Sequence, residues 1–260
     1  MPFTLAHPAV VLPIYRCLRG PGLVSAVVIG SMAPDFVYWW PWTVYRDSSH
    51  SIPALFSFCL PASFSVFWLY HLLIKPPLLA LLPQAIFVRL PPLQPPSWHL
   101  RNVVLVLLAL LLGAITHIIW DGFTHHDTLV TQLLPFLDAP LPIRSRYTLR
   151  VHQVLQHGST LVGLSALALF SWRWYQCTPS RQDITARDLT TWQKTVLVAC
   201  LIVPSMIGAI QSGLYRARWE TSLPALRTFL EAGVVTGIGI FSTVLVILGL
   251  LWPWVERGEE

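Results

Sequence analysis

Charge is what this chain has least of. Only 11% of its 260 residues are Asp, Glu, Lys or Arg, against 54% hydrophobic, and the mean hydropathy is +0.60. A soluble domain carries roughly 25% charged residues, so a water-facing globule is excluded. Cysteine is scarce too: Cys17, Cys59, Cys177 and Cys200 are scattered, with no Cys-x-x-Cys. That excludes a disulfide framework and a zinc knuckle. No cluster of Lys and Arg offers a face for nucleic acid, and the net charge of +5 fits anionic lipid headgroups instead. Gly-x-Ser-x-Gly, the turn that exposes a serine nucleophile, is missing. So are an internal repeat and a hydrophilic second domain. The N-terminus lacks the basic and then apolar regions of a cleavable signal.

Long apolar runs are what the chain does have. Residues 51–74, 103–120, 151–175, 195–214 and 229–255 each approach or exceed the about 20 residues that cross a bilayer. Before them, residues 4–19 read as an amphipathic helix capped by Thr4 and stopped by Gly20-Pro21-Gly22. Residues 23–33 read as an apolar helix too short to span. The expectation is an all-α, polytopic membrane helix bundle with about five transmembrane helices and an N-terminal interfacial helical pair. It forms one membrane domain, 1–260: an N-terminal helical motif region (1–50) and a transmembrane bundle (51–255).

Pro61 is expected to kink the first span and Lys75-Pro76-Pro77 to end it, opening a proline-rich connection to residue 101. Trp39, Trp40, Trp42, Trp98, Trp120, Trp172, Trp174, Trp252 and Trp254 stand near run ends, as interfacial anchors do. Residues 122–150, with Pro135, Pro140, Pro142, Arg144, Arg146 and Arg150, make a loop of the length that often carries function. Basic residues divide almost evenly between the two sides, so they set no orientation.

The chemistry gathers at Thr116 to His126. His117, Asp121 and His125 recur every four residues. On a helix each such step turns the face by about 40° and climbs about 6 Å, which lines them in one stripe. Gly122 is a possible early stop, which would put His125 on the following turn. His7, Asp35, His50, His152 and His157 fall on the same predicted side, giving a cluster of imidazoles and carboxylates at one membrane face. Ionisable residues at that depth are costly and mark function by default. Mixed His and Asp ligation suits zinc or another borderline divalent ion. His71, His99 and His126 read as ordinary interfacial or hydrogen-bonded residues, and Asp127 and Asp138 as loop residues. Ser49, Ser51 and Thr116 read as partners of the ligands rather than as nucleophiles.

Several motifs together resemble a known family. They are Met1-Pro2-Phe3-Thr4-Leu5-Ala6-His7-Pro8-Ala9, Gly30-Ser31-Met32-Ala33-Pro34-Asp35-Phe36, Ser49-His50-Ser51, Thr116-His117-x-x-Trp120-Asp121-x-Phe123-Thr124-His125 and Leu155-Gln156-x-Gly158-Ser159-x-x-x-Gly163. The combination resembles the bacterial membrane family called domain of unknown function 4184. That resemblance implies fold and location, a multi-pass protein of the bacterial inner (cytoplasmic) membrane, more than chemistry. The order His, Pro-Asp, His-Ser, His-x-x-x-Asp is also similar, more weakly, to bacterial inner-membrane metal-dependent hydrolases, themselves similar to zinc-dependent phospholipase C. This second likeness implies that His7, Asp35, His50, His117 and Asp121 correspond to metal ligands. The chain departs from it where Pro34-Asp35 is followed by Phe36-Val37 with no second Asp, and where no His-Arg precedes His50.

The expected function is therefore a metal-dependent, hydrolase-like site at the membrane edge. A divalent metal, zinc first, would activate water there, with His125 and His157 as acid-base groups. Membrane lipids would be its partners, with no role for nucleic acid. The alternative is a non-enzymatic transporter or assembly factor whose His/Asp cluster binds an ion or holds helices together.

Overall fold

The computed structural model of the chain describes residues 3–38, 49–91, 95–141, 148–181, 189–218 and 222–257. Trp39, Trp40, Trp42, Pro142, Arg144 and Arg146 lie outside them. The chain is all-α and polytopic. Among the described residues, five helices are long and apolar enough to cross a membrane: α2 (Ile52–Leu81), α3 (Leu100–Thr124), α4 (Val151–Cys177), α5 (Thr191–Arg216) and the apolar stretch Pro224–Val255 of α6 (Leu223–Arg257). A shorter helix, α1 (Leu23–Gly30), precedes them. No strand occurs among the described residues, only an isolated bridge between Pro140 and Arg150. Large apolar side chains stand exposed along the spans, Leu161 and Val162 on α4 at 70% and 68%. Surfaces of that kind fit hydrocarbon rather than water.

The residues divide into two compact units. The first comprises Met1–Val37, Val44–Phe67 and Gln94–Thr178. The N-terminal segment here is not the regular helix its amphipathic pattern suggested. It is a 3-10 helix over Thr4–Val11, followed by turns to Cys17. Pro8 within it has no N–H to donate, which favours a short tight helix over a long one. Gly22, at φ 80°, occupies the left-handed region and opens α1.

α1 and α3 cross with their backbones nearly touching. A Cβ on Gly30 would run into the Leu110 carbonyl, and one on Gly113 into the Val27 carbonyl. Beyond α1, Ala33–Tyr38 forms a second 3-10 helix that carries Asp35. α2 starts at a defined place because the Ser51 hydroxyl accepts from the Ala54 N–H and Pro53 sits in the first turn.

Lys75-Pro76-Pro77 does not end α2 as expected. The helix widens into π-helical turns over Leu55–Cys59 and Tyr70–Ile74, just before Pro61 and Pro76-Pro77. The wider turn makes room for the proline ring and absorbs the lost hydrogen bond. Hence α2 runs on to Leu81, and the connection that follows starts later than the sequence suggested.

The second unit comprises Tyr38–Thr43, Trp68–Leu93 and Pro179–Glu260. α5 begins with a capping box in which Thr190 and Gln193 satisfy each other's backbone N–H groups. It packs on α6 through small residues: Gly213 lies under Phe229, and Gly233 faces Ala209. Close approach at glycine is how helices associate in lipid. Trp252 is buried, packed with Ala80 and Leu189, and so is a core residue here rather than an interfacial anchor.

Candidate metal centre

Four separate stretches of the first unit deliver polar side chains to one place. His7 comes from the N-terminal 3-10 helix and Asp35 from the second one. His50 stands just ahead of α2, and His117 and Asp121 lie one turn apart on α3. All five are shielded: their side chains are 5%, 0%, 6%, 0% and 3% exposed respectively. The stripe on α3 is helical through Thr124, so Gly122 does not stop the helix. His125 is the first residue beyond it, in an extended conformation, with its side chain 13% exposed.

Three of the imidazoles have a partner at Nδ1. His117 Nδ1–H donates to the Ser31 carbonyl at 2.7 Å. The Gly30–Gly113 crossing makes this reach possible, because His117 is one turn beyond Gly113 and Ser31 follows Gly30. The Ser49 hydroxyl lies 2.8 Å from His50 Nδ1. His125 Nδ1–H faces the Asp121 carbonyl at 3.1 Å. For His117, Nδ1–H as the donor leaves the Nε2 lone pair facing Asp35 and Asp121, the arrangement that outer partners impose on metal-binding histidines. Thr4 does the same for a carboxylate: its hydroxyl donates to Asp35 Oδ2 at 2.6 Å and leaves Oδ1 facing the cluster.

The inward atoms then confront one another. His50 Nε2 is 3.3 Å from Asp35 Oδ1 and 3.4 Å from Asp121 Oδ2. His117 Nε2 is 3.6 Å from each of the same two oxygens. These separations are long for N–H···O bonds, which cluster at 2.7–3.2 Å. They suit neighbouring ligands of one ion: two donors about 2.1 Å from a tetrahedral zinc stand about 3.4 Å apart. His7 Nε2 lies 3.8 Å from Asp121 Oδ1, and its ring stacks on that of His117 with centroids 3.7 Å apart and 14° between planes.

His7 Nε2, His117 Nε2 and Asp35 Oδ1 are buried and have no hydrogen-bond partner among the described residues. Unpaired buried polar atoms are rare and costly, and a cation among them removes the cost. Burial, reinforced by the neighbouring His117, lowers the His7 pKa to about 4 despite the pull of Asp121 and Asp35. His7 is thus neutral at pH 7, so its approach to Asp121 is not an ion pair and its lone pair is available. Two overlapping triads meet the spacing of a metal site: His7, His117 and Asp121, and Asp35, His50 and His117. They share His117 Nε2, which has a single lone pair.

The other sequence candidates lie elsewhere. His157 is exposed on α4 and enters none of the contacts above. His152 is buried in a second group, with Nδ1 3.0 Å from Asp138 Oδ1 and 3.2 Å from the Leu137 carbonyl. His126 Nδ1–H donates to the same carboxylate at 3.0 Å, and this hydrogen bond is the main influence holding the Asp138 pKa down. This His126–Asp138–His152 group ties the segment after α3 to the start of α4. The reading of Asp138 as an ordinary loop residue missed it, because its partners are 12 and 14 positions away in the chain. Ser49 is the anticipated hydroxyl that meets a ligand. Ser51 caps α2, and Thr116 donates to the Gly113 carbonyl. Thr4, read from the sequence as a helix cap, instead holds Asp35, and the Ser31 carbonyl was not read as a partner of His117.

No curated protein and no solved structure matches this chain. The family model described as Domain of unknown function (DUF4184) matches residues 1–250. With nearly its whole length matched, including every segment that supplies the cluster, the chain belongs to the DUF4184 family.

Proposed function

We propose that the cluster is a divalent metal centre, zinc first, and that it hydrolyses a lipid or lipid-linked phosphoester at the edge of the bacterial cytoplasmic membrane. His7, Asp35, His50, His117 and Asp121 are the ligands. One observation carries the metal: His7 Nε2, His117 Nε2 and Asp35 Oδ1 are buried without a hydrogen-bond partner among the described residues, inside two His/Asp groups at ligand spacing. Imidazole and carboxylate without thiolate suit zinc or manganese. Because His117 Nε2 serves both triads, the expected content is one ion per chain. A divalent ion held by these residues would supply Lewis-acid activation of water, lowering its pKa to about 7. His125 carries the proton transfer: it is the most exposed imidazole of the group, 3.5 Å from Asp121 Oδ2. His157 stays a second acid-base candidate, reachable only from outside the cluster. The setting supports a lipid substrate: His117 and Asp121 lie on a helix long enough to span.

The test is elemental analysis of detergent-purified protein, followed by turnover of phospholipids and lipid-linked phosphates with and without zinc or manganese. One ion per chain and metal-dependent product that disappears in His117→Ala are the expected results. Metal-free wild type, after purification in added zinc, overturns the centre. The near-complete shielding of the ligands favours a second reading, in which the ion only ties the four stretches together. Stoichiometric metal with no turnover of any ester in the panel selects it.

A further inference from the structure

The N-terminal 3-10 helix contributes two side chains to the centre. In a 3-10 helix residues i and i+3 eclipse, so Thr4 and His7 project on the same side. Thr4 holds Asp35 through Oδ2, and His7 faces Asp121. These two carboxylates come from different segments, and the helix bridges them.

Its own attachment is to α4 first, then to α1 and α3. Of eight residues only Ala6, His7 and Val11 are buried, while Leu5 is 42% exposed. It leans on α4 through the Phe3 N–H, which donates to Thr160 Oγ1 at 3.0 Å. Gly163 lets Ala6 come close, since a Cβ there would lie 3.0 Å from the Ala6 carbonyl. Downstream, Tyr15 meets Phe170 edge to face at 5.1 Å. Against this hold stands the burial of His7 Nε2 and Asp35 Oδ1 without partners. Apolar packing leaves those two polar atoms unsatisfied; a cation satisfies them.

We infer that Thr4–Val11 is a metal-coupled strap: the ion holds it down, and Thr4 is the positioning residue that links it to Asp35. The inference rests on the metal reading above. Linkage makes the coupling reciprocal, so whatever loosens the strap weakens the ion, and removal of the ion loosens the strap. Undocking removes His7 from the wall of the site and opens a way to His117 and Asp121. Thr160 and Gly163 on α4 thus act on metal affinity without being ligands.

Hydrogen–deuterium exchange of the full-length protein in detergent, zinc-loaded and after chelation, tests the strap directly. Chelation is expected to raise exchange across residues 4–11 and 33–38 and to leave the middle of α5 unchanged. Thr4→Val is expected to weaken zinc binding ten- to a hundredfold, the range of outer-shell losses. Thr4→Ser, which keeps the hydroxyl, restores it. Thr160→Val, which removes the acceptor of the Phe3 N–H, weakens zinc binding in the same direction. Should Thr4→Val fail to insert, Thr160→Val and the wild-type exchange data decide the matter. Equal exchange of 4–11 with and without zinc, in protein that binds zinc through His117, overturns the strap alone. Unchanged affinity in Thr4→Val overturns the positioning role. Wild type that binds no zinc overturns both the strap and the metal reading beneath it.

Discussion

At the scale of single residues, Asp121 offers the sharpest comparison. Its two oxygens face different imidazoles, Oδ1 toward His7 and Oδ2 toward His50 and His117. Asp121→Asn keeps the shape and removes the charge, and metal content should fall at least about tenfold. Asp127→Asn is the control. Asp127 is exposed and sits in the left-handed region at φ 57°, which asparagine also tolerates. Inductively coupled plasma mass spectrometry on both variants, each checked for insertion, gives the answer. Equal loss in the two, or no loss in either, removes Asp121 from the ligand set. The stripe of His117 and Asp121 was legible in sequence because i and i+4 on a helix must share a face. The partners that aim the ligands were not. Thr4 acts from a 3-10 turn whose period the amphipathic pattern did not reveal, and Ser31 acts through its backbone.

Among the elements, the crossing of α1 and α3 matters most. Gly113 brings the two backbones together, and that approach sets the Ser31 carbonyl against His117. Gly113→Ala forces the helices apart. Overpacking of this kind costs about 1–3 kcal/mol, and here it should carry the metal away as well. A lowered thermal midpoint with metal retained would mean that the crossing supports only the fold. His126, Asp138 and His152 give a contrasting case. Asp138→Asn removes the acceptor charge both imidazoles share, so exchange across residues 128–139 should rise. Metal content should stay within about twofold, because none of the three residues is a ligand and outer-shell effects belong to direct partners. The five spans were readable from apolar length alone. The course of α2 was not, since the sequence shows its prolines but not the π-helical turns that accommodate them.

For the molecule as a whole, the cluster belongs entirely to one compact unit. The other unit has its own seam of small residues, where a Cβ on Gly213 would lie 2.6 Å from the Phe229 ring. Gly213→Val should therefore reduce the yield of folded protein, while the molecules that do fold keep their metal. A metal-to-protein ratio that falls with the yield would contradict this separation. Within the first unit, the peptide oxygen that anchors His117 has a consequence for how any mutational survey is read. Every amino acid supplies that oxygen. An alanine scan at position 31 removes only the hydroxyl's bond to the Val28 carbonyl, while the contact with His117 persists in every variant tested. Replacing the following amide with an ester, which weakens the carbonyl as an acceptor, is the change that would expose it.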